Sequence, residues 1–216
     1  MTDNVASKVK EFFGKYDLRK YAKGQILIFN GDEADYVYYI VKGRVKEYDV
    51  SYRGDEVILN VFHPPAFFPM SLAINKAINP YIYEAETGIE ARRAPADDVV
   101  QFIEGNHDVM FDLLSRVYHG VDGVLGRMVR LMSGSARSRL AYEIVLEAHR
   151  FGARKSDGSC VLRLSEKELG SRAGLSRETV NREMHKFKEE GFIISASKKI
   201  TIKNLEKFSK KSEQIY

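Results

Sequence analysis

Residues 174 to 187, GLSRETVNREMHKF, crowd two arginines, two glutamates, an asparagine and a histidine among a few apolar side chains. At 100° per residue, with Arg177 set to zero, Lys188, Asn181, His185, Glu178 and Arg182 fall at about 20°, 40°, 80°, 100° and 140°. Val180, Met184 and Phe187 fall between about 280° and 340°. One face is therefore apolar, and the other offers the groups suited to base edges in a DNA major groove. Arginine pairs bidentately with guanine, asparagine with adenine, and glutamate accepts from the cytosine amino group. Arg177, Glu178, Arg182 and Asn181 are the candidate readers, and His185 reads as a merely exposed neighbour.

The flanking residues describe how such a helix would be held. Ser165-Glu166-Lys167-Glu168 has the spacing of a capping box, which starts a first helix carrying Leu169 and Ala173 inward. Gly174 can supply the positive φ of a tight turn. Ser176 then caps the second helix, and Ser176 and Thr179 suit capping and phosphate contact better than base reading. Two helices joined by a glycine turn, the second bearing the polar face, predict a helix-turn-helix. Two short strands expected around 192 to 195 and 199 to 202 would form a wing whose tip, Lys198 and Lys199, reaches phosphate.

Further back, residues 135 to 151 predict a helix from about 137, followed by a polar loop, ARKSDGS. From Asp108 onward Met110, Leu114, Val117, Val121, Val124, Met128 and Leu131 recur at alternating spacings of four and three, a heptad seam that fits a partner helix better than a sheet. Gly120, Gly123 and Gly126 interrupt its helix propensity, leaving room for close backbone approach or rearrangement. Ser133-Gly134-Ser135 ends the seam and reads as a hinge. The front of the chain, after a short amphipathic segment, breaks into GQILIF, YVYYIV, RVKEYDV, EVILNVF, YIYEAE and GIEARRA, separated by GD, KG, RG and PP. These imply an all-β roll or barrel, so the fold class is α+β.

Charge follows the same division. Residues 1 to 134 hold 16 Lys and Arg against 19 Asp and Glu, whereas 135 to 216 hold 18 against 11. The basic end is the one expected to face a polyanion. No apolar run is long enough to span a bilayer, and the first 20 residues lack the apolar middle of a secretory signal, which predicts a cytoplasmic protein with no membrane partner. The single Cys160 excludes an internal disulfide and an iron–sulfur ligand set. His107, His119 and His149 lack partners at metal spacing, and no nucleophile–base pattern or phosphate-cradling loop occurs, so neither a metal centre nor an enzyme is expected.

The segment SEKELGSRAGLSRETVNREMHKFKEEGFI closely resembles the helix-turn-helix signature of the CRP/FNR transcription regulators, and GQILIFNGDEADYVYYIVKGRVKEY resembles the start of their cyclic-nucleotide-binding roll, with Gly31, Gly43 and Gly54 at the roll's turns. The resemblance covers nearly the whole chain. It implies a double-stranded β-helix, a jelly-roll-like sensor, over residues 1–107; a dimerisation helix and hinge over 108–134; and a winged helix-turn-helix over 135–216. It assigns base reading to Arg177, Glu178 and Arg182, with Asn181 resting on the helical wheel alone. It also implies a homodimer on an inverted-repeat operator, and contact with RNA polymerase through the loop from Phe151 to Ser159.

At the ligand site the chain departs from the family. Cyclic-AMP binders carry a Gly-Glu-Leu stretch followed by an Arg-Ser pair, the arginine neutralising the cyclic phosphate. Here Met70 stands near the glutamate's place and Pro80-Tyr81 near that of Arg-Ser, while Val124-Leu125 replace the Thr-Ser that meets adenine. Without the cation the phosphate would enter an apolar cavity uncompensated. The expected effector is thus a small molecule other than cyclic AMP, in a pocket lined by Phe67, Phe68, Met70, Ser71, Tyr81, Tyr83, Val124 and Leu125, although each ring suits the roll's core as well. His63, beside Pro64-Pro65, reads as a loop residue rather than a haem ligand.

Overall fold

The computed structural model describes residues 3–52, 54–196 and 198–214. Its first elements are α1 (Asp3–Gly14), β1 (Leu18–Tyr21), β2 (Ile26–Ile28), β3 (Tyr36–Lys42), β4 (Val45–Val50), β5 (Glu56–Phe62), β6 (Phe67–Phe68), α2 (Met70–Asn75), β7 (Ile82–Ala85), β8 (Ile89–Pro95), α3 (Ala96–Glu104) and α4 (His107–Ser133). There follow α5 (Ala136–Phe151), β9 (Ala153–Arg154), β10 (Cys160–Leu162), α6 (Glu166–Ala173), α7 (Arg177–Glu189), β11 (Ile193–Ala196), β12 (Lys199–Ile202) and α8 (Leu205–Gln214). The chain forms two compact units, Met1–Tyr118 and His119–Tyr216.

In the first unit two antiparallel four-stranded sheets, ordered β1-β8-β3-β6 and β2-β7-β4-β5, make the roll. Period-two alternation divides the side chains of β3 and β6 between two cores. Tyr38, Ile40 and Phe68 turn inward between the sheets, beside Val45, Tyr83, Ala85, Ile89 and Ala91. Val37, Tyr39 and Phe67 turn outward beneath α1, α2 and α3, where Val9, Phe13, Met70, Val99 and Val109 complete a second core. Burial on both faces explains why β3 reads as a continuous apolar run rather than alternating.

All six expected strands form, and four elements of this unit have no counterpart in the sequence reading. β1, LRKY, buries none of its residues deeply, and β6 and α2 are too short to show a period. α3 begins with Asp97 and Asp98 in its first turn, acids that favour a helix N-terminus, so helix starts before Asp108. Arg53, part of the Arg-Gly turn signal, lies outside the described residues.

The second unit is built on Leu140, Ile144, Leu162, Leu169, Val180, Met184, Phe187, Ile193, Ile200 and Phe208. Its sheet, β11-β12-β10-β9, is antiparallel throughout. In the segment expected as a polar loop, ARKSDGS, the first two residues form β9 and the remaining five make the loop of a hairpin with β10, Gly158 at φ 78°. The terminal helix α8 packs Phe208 against Phe187 with ring centroids 5.2 Å apart.

Helix α4 stops at Ser133, and Ser135 caps α5 by accepting from the Ser138 N–H, so the Ser-Gly-Ser break occurs where expected. The two compact units nevertheless divide within α4 rather than at that break. Its second half is tied to α5: Arg127 Nη2 lies 2.8 Å from Glu143 Oε1, and the Arg130 guanidinium stacks 3.9 Å from the Tyr142 ring centre. A Cβ on Gly126 would meet Tyr142 Oη at 2.2 Å, so this glycine is accounted for by a neighbour in the same chain.

Candidate nucleic-acid interface

Helix α6 opens with the capping box in full: the Ser165 N–H donates to Glu168 Oε2 at 2.7 Å, and the Glu168 N–H donates to Ser165 Oγ at 3.2 Å. Gly174 ends it at φ 62°, a left-handed conformation that a side chain would strain. Ser176 caps α7, accepting from the Thr179 N–H at 3.3 Å while its hydroxyl donates to Thr179 Oγ1 at 3.1 Å. Both hydroxyls are therefore engaged in the cap, Ser176 exposed and Thr179 half-buried.

The faces of α7 separate as the wheel requires. Val180, Met184 and Phe187 are fully buried, whereas Arg177, Glu178, Asn181, Arg182 and His185 are exposed. Glu183 departs from that division. It is buried, and its carboxylate holds Lys186 Nζ at 2.9 Å and Arg182 Nε at 3.4 Å. Burial alone would raise its pKa, but these cationic hydrogen bonds outweigh it and keep the carboxyl below the usual range. Arg182 is thereby braced at one nitrogen while its side chain stays 62% exposed. Backbone and Ser176 hydrogen bonds lower the Glu178 carboxyl in turn, so it stays an acceptor at neutral pH. His185 faces Glu189 at 3.4 Å on the outer side of the same helix.

Asn181 donates its amide to Glu166 Oε2 at 3.2 Å, and Lys188 Nζ lies 3.7 Å from Glu166 Oε1. Glu166 entered the sequence reading only as a member of the capping box. The hairpin β11–β12 forms the wing, closing with Ala196 opposite Lys199, and Lys198 and Lys199 are exposed at its end. Behind the interface, Arg172 of α6 pairs with Glu147 of α5, side chains 1% and 3% exposed. This pair was missed because 25 residues of sequence separate two polar letters that resemble surface charge; buried periodicity of α5 was the only available signal.

Of the first-unit residues expected to line an effector pocket, the structure brings Phe68, Tyr81 and Tyr83 together and places Phe67, Met70 and Ser71 elsewhere. Phe68, Tyr81 and Tyr83 belong to the core between the sheets, Phe67 and Met70 to the core beneath the helices, and Ser71 is exposed. The alternation of β6 sends its two rings to opposite sides, which a list of aromatic letters cannot convey. Val124 and Leu125 are about half exposed on α4. Inside the roll the rings of Phe68 and Tyr83 stack at 5.4 Å, Phe62 and Phe68 at 4.8 Å, and Tyr38 and Phe68 at 5.7 Å. Beside them Glu47 accepts a 2.8 Å hydrogen bond from Tyr83 Oη; burial raises the Glu47 carboxyl and pushes the phenol higher as well. His63 places Nδ1 2.9 Å from the Pro64 carbonyl. Among the described residues no group of His, Cys, Asp and Glu is arranged to hold a metal ion, and no helix is long and apolar enough to cross a membrane.

Comparison with known proteins matches residues 18–106 to the cyclic nucleotide-binding domain and residues 138–210 to the Crp-like helix-turn-helix domain. The chain is 26% identical to the global nitrogen regulator of Nostoc sp. over 185 residues, 84% of this chain and 83% of that one. It is 24% identical to the cAMP-activated global transcriptional regulator of Salmonella typhimurium over 192 residues, 88% of this chain and 91% of the other. A solved transcriptional regulator of Thermus thermophilus shares the fold with a TM-score of 0.75 at 21% identity, covering 93% of this chain and all of that one.

Proposed function

The chain belongs to the CRP/FNR family of DNA-binding transcription regulators, and on that premise we propose that it acts as a homodimer reading an inverted-repeat operator under the control of an effector other than cyclic AMP. Residues 1–107 serve as the sensor, 108–134 as dimerisation helix and hinge, and 135–216 as the reader, working in the cytoplasm. The observation that carries the reading is α7: a rigidly capped helix with a fully buried apolar face and an exposed face of Arg177, Glu178, Asn181 and Arg182. Such a face supplies both donors and acceptors to base edges, while Lys198 and Lys199 of the wing meet phosphates.

The dimer rests on α4. Of its 27 residues only Val109 is buried, and the seam from Met110 to Leu131 lies 40% to 55% exposed. A second copy laid along that seam removes it from water, and symmetry then places two copies of α7 about 34 Å apart, one turn of DNA. RNA polymerase is the further protein partner, and the exposed hairpin at residues 153–158 is the surface offered to it.

Cyclic AMP is disfavoured on two grounds. Neither Met70, buried beneath the helices, nor Pro80 supplies a cation. Glu47 also borders the inter-sheet core, so the buried ionisable group there is an acid rather than a cation, and its ionised form would repel an incoming phosphate. An effector would act by reorienting the reader at residues 133–135, which requires breaking Arg127–Glu143. The stacked rings filling the roll support a second reading, a regulator competent without effector. Operator affinity that does not change with cell extract or metabolite mixtures selects the second over the first.

Binding to matched and random duplexes tests the base readers. Arg177→Ala and Arg182→Ala should each lose about 1 to 3 kcal/mol on the operator with little change on random DNA, whereas Lys198→Ala weakens both alike. Equal losses on both duplexes for the arginines defeat the assignment. A helix-turn-helix that serves as a protein-docking surface instead would show no steep loss of duplex affinity with salt.

A further inference from the structure

From the contact between α6 and α7 we infer that Glu166 is a positioning residue that locks the Asn181 side-chain amide, so that Asn181 selects a base bearing an amino group, adenine or cytosine, on the strand it faces. The inference rests on the DNA-reading role of α7. An asparagine amide is ambiguous by itself, offering an acceptor on one side and two donors on the other, and a free one reads either kind of edge. Here the ambiguity is removed by chemistry: an ionised carboxylate can only accept, so the amide facing Glu166 Oε2 at 3.2 Å must turn its Nδ2 inward. The carbonyl Oδ1 is then directed away from Glu166, on the exposed face that carries Arg177 and Arg182.

The lock has its own support. Glu166 is the first residue of α6, where the helix dipole favours a carboxylate. Lys188, seven residues beyond Asn181 on α7, sits 3.7 Å from its other oxygen and offsets the negative charge that the site would otherwise turn toward phosphate. Three residues on two helices thus fix one hydrogen-bond acceptor at the reading face. In the major groove adenine N6 and cytosine N4 are amino donors, whereas guanine O6 and thymine O4 are acceptors, so an outward carbonyl attracts the first two and is repelled by the others.

The test is a base-substitution profile at each operator position, measured as relative affinity for the wild type and for Asn181→Ala, Glu166→Gln and Glu166→Ala. One position per half-site should favour adenine or cytosine over guanine or thymine by at least about fivefold, the ratio of one net hydrogen bond. Asn181→Ala should flatten that position alone. Glu166→Gln keeps the side-chain length but can donate as well as accept, and Glu166→Ala removes the partner. Both should admit guanine and thymine there while leaving the profiles of the other positions unchanged, and, with Lys188 left unopposed, random DNA should be bound no more weakly than by the wild type. A purely structural Glu166 would lower affinity for every sequence alike, which overturns the inference. So does an Asn181 position that prefers guanine or thymine, or one that no variant alters. Either result leaves the DNA-reading role intact if Arg177→Ala and Arg182→Ala still lose discrimination; a chain that selects no sequence removes both.

Discussion

Arg182 carries out two tasks with one side chain. Its Nε is held by the buried Glu183 carboxylate while the rest of the guanidinium remains available, and such bracing lowers the entropy lost on pairing with a base. Glu47 is the opposite case, a carboxyl stabilised against ionisation. Burial raises its pKa above the ordinary 4.5, with the Tyr83 hydrogen bond only partly opposing. The folded protein then binds this proton more tightly than the unfolded chain does, so the stabilising contribution is complete below about 4.5 and is lost as pH rises through the raised value. Replacing Glu47 with Gln should remove that loss. In urea titrations across this window the wild type should weaken relative to the variant as pH increases, and parallel curves would refute the assignment. At this scale the sequence was informative for α7, because a single helix with a capped start converts letters to angles directly. It was uninformative for Glu166, Glu183 and the Glu47–Tyr83 pair, whose roles arise from neighbours that only the tertiary fold supplies.

Helices α5 and α6 are joined through the buried Arg172–Glu147 pair, which keeps α6, and therefore Glu166, in register with the recognition helix. Cutting Arg172 back to Ala removes the cation paired directly with the buried Glu147 and should cost about 3 to 5 kcal/mol, whereas Arg172→Met combined with Glu147→Leu should recover most of it. Equal destabilisation of the single and double variants in chemical denaturation argues that the arginine matters only for packing. The seam of α4 was legible as a heptad repeat, but it proves wider than that spacing indicated. Phe111, Tyr118, Leu125 and Met132, each seven residues apart, are also exposed and add a third row to the stripe. Placing glutamate at Val121, itself 46% exposed, should leave the thermal unfolding of the single chain nearly unchanged yet abolish self-association in sedimentation. An intact dimer would show that the stripe meets something else. The short elements β6, α2, β9 and β10 escaped the sequence reading because two to six residues complete too few repeats to show a period, and β1 because its letters, LRKY, carry no apolar alternation.

Across the whole molecule the order of roll, long helix and winged reader could be read from changes in hydrophobic period, and the basic excess of residues 135 to 216 marked the reader. The division of the chain within α4 could not, since Arg127–Glu143 and Arg130–Tyr142 link residues whose letters give no hint of each other. If the basic end meets phosphates through the wing and the α7 face, duplex affinity should fall by orders of magnitude between low and physiological salt, with a log–log slope reduced by about one in Lys198→Ala. The central claim, that paired copies of α7 read base edges, is met most directly by recovering the duplexes that the purified chain enriches from a random pool. The enriched sequence should be an inverted repeat with half-site centres about one DNA turn apart. Enrichment of a lone half-site, or of no sequence at all, would contradict it.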